Sequence, residues 1–561
     1  MKESVDKIWL KNYAPGVPET IDPNEFKSLG ELFAKSADTF RDRPAYENLG
    51  MTLSFDDVDK MTRNFAAYLT AQGLKKGDRI AIMMPNLLQY PIALFAALRA
   101  GLIVVNTNPL YTARELEHQL NDSGAVAIVI LENFAGTLQE VLDKTSVKTI
   151  ITTQIGDLAG FPKSLLVNFV VKRVKKMVPA FTLPSHAVKF NDVLAKGKDM
   201  SFTDVEIGHE DVAFLQYTGG TTGVAKGAAL SHRNMVANLL QLEAWVSNEL
   251  NPAENEVFIT ALPLYHIFSL TANAFAMKIG AKSVLVTNPR DMPGFVKTLA
   301  SSDFTFMPGV NTLFNGLLNT PGFSDIDFSR AKLFLGGGMA VQESVAQEWK
   351  AATGLALVEA YGLTETSPAA TINPTHSTEF SGNIGLPISS TEACVKDEDG
   401  KKQVFNEPGE LCIRGPQVMQ GYWNRPEETA KVMDDKGWLH TGDIAVINEE
   451  GYVKLVDRLK NLIIVSGFNV YPNEIENVVA AHPKVLELGA IGVPHEKSGE
   501  AVKIFVVRKD NSLTEEELKE YCYKEMTRYK CPKYIQFVDE LPKSNVGKVL
   551  HKDLRKLEQE K

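Results

Sequence analysis

"QYTGGTTGVAKGAALSH", Gln216 to His232, sets four glycines, four neutral hydroxyls and one lysine within the twelve residues from Tyr217 to Ala228. The apolar run "VAFL" precedes it and the tail "SHRNMVANLLQLEAWV" follows, so the stretch reads as strand, glycine loop and helix. Glycine lets backbone N–H groups approach phosphate oxygens, and hydroxyls with one lysine add charge-assisted donors. A turn leaving a strand accounts for Gly219, Gly220 and Gly223. It does not account for Thr218, Thr221, Thr222 and Lys226 beside them, and phosphate binding is the expectation. The loop is not a Walker A loop. In that template the lysine follows a glycine and precedes a Ser or Thr that holds magnesium, whereas Lys226 stands between Ala225 and Gly227.

The surrounding sequence alternates helical and strand patterns. "SFDDVDKMTRNFAAYLTAQGL" has the period of an amphipathic helix, "DRIAIMM" and "AVAIVIL" read as short buried strands, and "LLQYPIALFAALRAGLIVV" as a helix running into a strand. "DVAFLQY", "VFITALPL", "AKSVLVT" and "RAKLFLGGG" continue the series, which predicts parallel sheets covered by helices. Near Gly400 the style changes to short strands broken by Gly and Asp, as in "GELCIRG" and "GWLHTGDIAVINEEGYVKLVDR". The last hundred residues predict a compact α+β unit. Its strands are "NLIIV", "LELGAIGV" and "AVKIFVVR", and its helices "PNEIENVVAAH" and "TEEELKEYCYKEM", the second opened by a capping box from Thr514 to Glu517. The polar joint Val456 to Asn461 between two apolar strands marks a boundary and a hinge.

At 561 residues the chain exceeds the ~250–300 at which a single core stops growing, so two or more domains are expected. A composition of 44% hydrophobic and 23% charged residues is that of an ordinary globular protein. The net charge of −10 argues against nucleic-acid binding, which needs clustered Lys and Arg. The N-terminus has no apolar signal-peptide core and no run approaches a membrane span, which predicts a cytoplasmic protein. Cys394, Cys412, Cys522 and Cys531 form no CxxC pair and read as thiols in a reducing compartment. The stretch "FPKSLLVNFVVKRVKKMVPAF", residues 161–181, mixes Leu, Val and Phe with Lys172, Arg173, Lys175 and Lys176 and holds no acid. It reads either as a basic amphipathic element lying on anionic lipid at the cytoplasmic face of a membrane, or as a surface helix with its apolar side on the core.

"YTGGTTGVAKGA" is similar to the signature of the AMP-forming adenylating superfamily, which includes acyl-CoA synthetases, luciferases and peptide-synthetase adenylation domains. The resemblance covers nearly the whole chain. "GGGMA" (Gly336 to Ala340), "YGLTETSP" (Tyr361 to Pro368), "GWLHTGD" (Gly437 to Asp443), "VDRLKNLIIVSGFNVYPNEIE" (Val456 to Glu476) and "LPKSNVGKVL" (Leu541 to Leu550) follow in the family's order. Trp438 through Glu476 resembles the fatty-acyl-CoA synthetase signature, and the chain as a whole resembles the bacterial long-chain fatty acid–CoA ligases.

The resemblance implies a reaction between two anions, a carboxylate and the α-phosphate of ATP, so catalysis is positioning and charge neutralisation. It implies that the loop Tyr217, Thr218, Gly219, Gly220, Thr221, Thr222, Gly223, Val224, Ala225, Lys226, Gly227 and Ala228 holds the β- and γ-phosphates. Thr364 would bond the α-phosphate and Glu365 would ligate Mg2+, an ion that needs few protein carboxylates. Tyr361 and Gly362 would meet adenine, with Gly337 and Gly338 permitting close approach; Asp443 and Arg458 would hold the ribose, Arg458 also reaching the α-phosphate. Lys548 would be the adenylation lysine. Ser466 and Gly467 would turn in to meet the pantetheine arm of coenzyme A. His266 sits where relatives carry an aromatic residue or a histidine beside the acyl pocket, and a satisfied core histidine fits it equally.

Two departures qualify the match. His551 and Lys552 stand where relatives often carry arginines, and apolar Ile464 and Val465 stand where some carry a lysine, so no charged catalyst is assigned to the thioester step. The fold implied is α/β. A large N-terminal domain of helix-covered parallel sheets with a small barrel-like subdomain (1–456) leads through a hinge (457–460) to a small mobile α+β domain (461–561). The partners implied are a fatty acid, ATP and CoA, with no nucleic acid; a homodimer is compatible with a sequence that shows no interface pattern. An aryl or medium-chain acid, a carrier protein as acceptor, luciferase-type oxidation and a non-catalytic adenylate-binding module remain as alternatives.

Overall fold

The computed structural model describes residues 7–218, 225–466, 468–495, 498–544 and 547–559, and of residues 458 and 459 the backbone alone. Among these residues the strands assemble into four sheets. The first is built around Arg79–Met83, Ile103–Asn106, Ala127–Leu131 and Thr149–Thr153, all parallel. Val212–Thr218 joins it in parallel and Lys226–Ser231 closes a hairpin on it. These strands are buried on both faces and therefore read as continuous apolar runs. The second sheet runs in parallel through Lys282–Leu285, Val257–Thr260, Phe306–Gly309, Leu333–Gly336 and Leu357–Gly362.

The part expected to be barrel-like is a four-stranded antiparallel sheet of Glu392–Lys396, Gly409–Arg414, Leu439–Ile447 and Val453–Arg458. The next strand, Ile463–Val465, already belongs to a different sheet, with Val485–His495 and Gly499–Arg508. The chain thus passes between sheets across the short turn Leu459–Asn461. At this joint the Asp457 carboxylate accepts the backbone N–H of Asn473 at 2.9 Å, in the first turn of the helix Pro472–Ala480. There it satisfies a donor that the helix itself cannot.

Two local expectations change. The helix Glu515–Glu525 is capped by Thr514, whose hydroxyl accepts the Glu517 N–H at 3.1 Å. The reciprocal half of the capping box is missing because the Glu517 carboxylate turns to Lys484 at 2.9 Å. In 161–181, the helix Lys163–Phe169 buries no residue, and neither does the π-helical turn Val170–Val174 that follows. Phe161 is 86% exposed and Leu165 and Leu166 are each 64% exposed. The surface helix with an apolar side on the core is therefore not what forms. Among the described residues no helix is long and apolar enough to cross a membrane, and the four cysteines are buried without a disulfide.

Candidate functional site

A cavity of about 860 Å³ opens where the first two sheets, the four-stranded sheet and the C-terminal unit converge. Its wall includes Tyr217, Thr218, Ala225, Lys226, His266, Gly337, Gly338, Tyr361, Gly362, Thr364, Glu365, Asp443 and Lys548. Residues up to 331 positions apart in sequence, Tyr217 to Lys548, thus share one surface. Gly227 and Ala228 do not line it. They are interior positions of the strand Lys226–Ser231, paired with Tyr217 and Gln216. A Cβ added at Gly227 would press on the Tyr217 ring at 3.1 Å, so the glycine lets that ring pack close to the strand. Ser466 lies on an exposed turn outside the cavity. Gly219, Gly220, Thr221, Thr222, Gly223, Val224, Gly467 and the side chain of Arg458 lie outside the described residues.

The hairpin brings Thr218 opposite Lys226, so both ends of the glycine loop are fixed by sheet pairing. Its base is pinned by Asp122, which accepts the Tyr217 hydroxyl at 2.8 Å and pairs with Arg425 at 2.6 Å. The Lys226 ammonium pairs with Glu428 and lies 5.1 Å from the centroid of the Tyr422 ring. Hydrogen bonds from Lys226, then from Lys431, hold the Glu428 carboxyl down at about 2. A carboxylate therefore occupies the lysine that a phosphate would need. Tyr422 donates its hydroxyl to Glu365 Oε1 at 2.7 Å; burial, then the Glu365 charge, pushes the phenol well above its ordinary range.

Tyr361 is buried and donates its hydroxyl to Asp443 Oδ2 at 2.7 Å, which joins the residue expected at adenine to the one expected at ribose. Gly362 is irreplaceable on steric grounds, since a Cβ would lie 1.8 Å from the Pro368 carbonyl oxygen. The strand carrying Asp443 pairs it with Arg458, so the backbone at least sets these two side by side. On the same wall, Glu410 accepts from His440 at 2.8 Å and from the Gly442 N–H at 3.0 Å. Glu410, Cys412 and His440 are thereby clustered, and the carboxylate braces the strand just before Asp443.

His266 caps the helix Ile267–Ile279, its Nδ1 accepting the Phe268 N–H at 3.4 Å. Burial, then the Lys548 ammonium, lowers its imidazolium to about 4, so the ring is neutral at physiological pH. His551 bonds Glu476 at 2.9 Å inside the C-terminal unit, which gives that flank a local structural partner.

Glu365 lines the cavity and offers it a carboxylate, which fits magnesium's habit of taking few protein carboxylates and keeping waters and phosphate oxygens for its other positions. The same cavity wall also carries apolar side chains, among them Leu242, Leu262, Phe268, Ala272, Leu335 and Ile372. The sequence motifs did not single out Tyr422, Glu428, Arg425 or Asp122. "GYWNRPEETAK", 421–431, carries the first three, but nothing in it signals a partner two hundred residues earlier.

The chain matches the family model described as AMP-binding enzyme over residues 33–423, and AMP-binding enzyme C-terminal domain over 474–548. It is 56% identical over 551 residues to a long-chain-fatty-acid–CoA ligase of Escherichia coli O157:H7, covering 98% of each chain. It is 56% identical over 553 residues to the ligase of the same name from Yersinia pestis, again covering 98% of each. Among solved structures, ATP-bound MatB from Rhodopseudomonas palustris is similar with a TM-score of 0.80 and 30% identity, over 94% of this chain and 98% of that one. With its glycine hairpin, its shared cavity and these matches, the chain belongs to the AMP-binding enzyme family.

Proposed function

We propose that the protein is a long-chain fatty acid–CoA ligase that converts a fatty acid, ATP and CoA into acyl-CoA, AMP and pyrophosphate. The observation that carries this is a single cavity lined by both the expected nucleotide residues and a set of apolar side chains, in a chain more than half identical to ligases so named. In the first step the fatty carboxylate oxygen attacks the α-phosphorus of ATP, and the bond to the bridging oxygen of pyrophosphate breaks. Lys548 neutralises the charge gathering between the two anions, and Thr364 and Lys226 hold phosphate oxygens. Glu365 would hold magnesium, which supplies further neutralisation of the phosphates. Asp443 binds the ribose and Tyr361 the adenine. In the second step the CoA thiol loses its proton to water, its sulfur bonds the acyl carbon and the bond from that carbon to the AMP phosphate oxygen breaks. No protein nucleophile is needed, because CoA brings the thiol. Residues 457–460 serve as the hinge by which the unit 461–561 withdraws Lys548 and brings Ser466 and Gly467 towards CoA.

The test is AMP and pyrophosphate release with CoA present, across acids from acetate through decanoate to oleate, with cinnamate alongside. A rate rising towards oleate with acyl-CoA as product supports the proposal. Activity confined to cinnamate or short acids overturns the substrate, and silence on every acid overturns the function.

A second proposal concerns 161–181. Phe161, Leu165, Leu166, Phe169 and Val174 are each more than half exposed, beside Lys172, Arg173, Lys175 and Lys176. Apolar side chains with cations around them suit the surface of an anionic bilayer, the phase that holds a long-chain acid. We propose peripheral binding there at the cytoplasmic face. Neutralising the four cations should weaken sedimentation with anionic vesicles and leave turnover on detergent-dispersed acid unchanged. Unchanged vesicle binding refutes it.

A further inference from the structure

The helix Asn311–Leu318 has two unlike faces. Leu313, Phe314 and Leu317 are buried in the large domain, whereas Thr312 and Asn315, one turn apart, face the C-terminal unit. Thr312 Oγ1 donates to the Gly547 carbonyl at 3.0 Å, and Asn315 Nδ2 donates to the Leu486 carbonyl at 3.0 Å. Asn319, just past the helix, donates through Nδ2 to Asn315 Oδ1 at 3.0 Å, which fixes the end of the Asn315 amide that points at Leu486. These contacts bridge 171 and 235 residues of sequence.

The Thr312 contact falls on the residue next to Lys548. Lys548 is tied to Ser544 by two hydrogen bonds: its N–H donates to Ser544 Oγ at 3.1 Å, and its carbonyl accepts the Ser544 N–H at 2.7 Å. Gly547 has φ +83°, and a Cβ there would lie 2.5 Å from Thr312 Oγ1, so Gly547 meets the helix by bare backbone. Fixing the Gly547 carbonyl therefore fixes where the Lys548 side chain starts. Both acceptors are main-chain carbonyls that can bond water once the unit turns away. Such an exchange costs little, which suits a contact made and broken in each catalytic cycle.

We propose, on the basis of the function proposed above, that Thr312 and Asn315 form a latch that holds the C-terminal unit in the adenylation pose. They are positioning residues that act through Lys548 in the first half-reaction and have no part in the second.

The test separates the half-reactions. Exchange of labelled pyrophosphate into ATP reads adenylation, and acyl-CoA formation from supplied acyl-adenylate reads the thioester step. Thr312→Val, which keeps the shape and loses the donor, should lower exchange about fivefold, the worth of one ordinary hydrogen bond. Asn315→Leu should lower it similarly, and Thr312→Ser should restore it. The thioester step should be unchanged or faster in all three. Hydrogen–deuterium exchange without substrates gives an independent reading: peptides covering 484–488 and 547–550 should exchange faster in Thr312→Val than in the unmodified protein.

Unchanged pyrophosphate exchange, equal loss in both half-reactions, or unchanged deuterium uptake overturns the latch. An unmodified protein silent in pyrophosphate exchange with every fatty acid refutes the proposed function instead, and the deuterium measurement still decides the latch.

Discussion

Ala272 offers the sharpest perturbation of acyl-chain length. It lies on the helix Ile267–Ile279, half-buried between the buried Thr271 and Asn273, and is one of the apolar residues lining the cavity. Ala272→Phe would place a ring in the cavity on the wall that the proposed function gives to the acyl chain. Burying one methylene is worth about 0.8 kcal/mol. At about 1.4 kcal/mol per tenfold, that is roughly a fourfold change in kcat/KM per carbon. In the unmodified enzyme kcat/KM should climb by about that factor per carbon until the apolar part is filled, and then level off. In Ala272→Phe the slope over short acids should be the same and the break should come earlier. A break four carbons earlier would lower kcat/KM on the longest acids by roughly two hundredfold. The assay is the initial rate of AMP release with CoA and saturating ATP, each acid held below its KM. A break that does not move refutes the assignment of this wall to the acyl chain. So does an equal loss on every acid, which would report a damaged fold or nucleotide site.

Lys548→Ala should lower adenylation by about a hundredfold or more while acyl-CoA formation from supplied acyl-adenylate stays near normal; equal loss in both steps refutes its role. Glu428→Gln removes the carboxylate paired with Lys226, so the KM for ATP should fall; an unchanged or raised KM would show that the pair does not compete with phosphate. Burial raises the Glu359 carboxyl from an ordinary 4.5 to about 8, so between these values the folded protein keeps a proton that the unfolded chain releases. That contribution to stability is complete below about pH 4.5 and is lost as pH rises through about 8. Glu359→Gln cannot ionise and keeps an oxygen for the Val341 N–H, so its urea midpoint should fall less from pH 5 to pH 8 than that of the unmodified protein. Parallel declines would refute the assignment.

The parts of this protein that sequence alone determined are those whose physics is local. A parallel strand covered on both faces must be apolar along its length, so "AVAIVIL" and "VAFLQY" were readable as strands and their alternation with helices as an α/β fold. Thr218 and Lys226 were readable from the hydroxyls and lysine of their glycine loop, and Tyr361, Thr364, Glu365, Asp443 and Lys548 through the resemblance of their short motifs to the adenylating superfamily. Their shared cavity is a product of sheet order, which joins strands hundreds of residues apart.

Tertiary structure alone decided who partners whom. Asp122 beneath Tyr217, Glu428 on Lys226 and the turn of Glu517 from its own helix to Lys484 are contacts between residues 33 to 202 positions apart. A charged or hydroxyl side chain takes the best partner within reach, and reach is set by packing, not by spacing along the chain. The same cause explains 161–181, where the composition allowed a core-facing helix and only the packed domain left its apolar residues without a core to join. It explains Thr312 as well. An ordinary threonine in its own stretch of sequence, it lies against the backbone beside Lys548 because two units meet there.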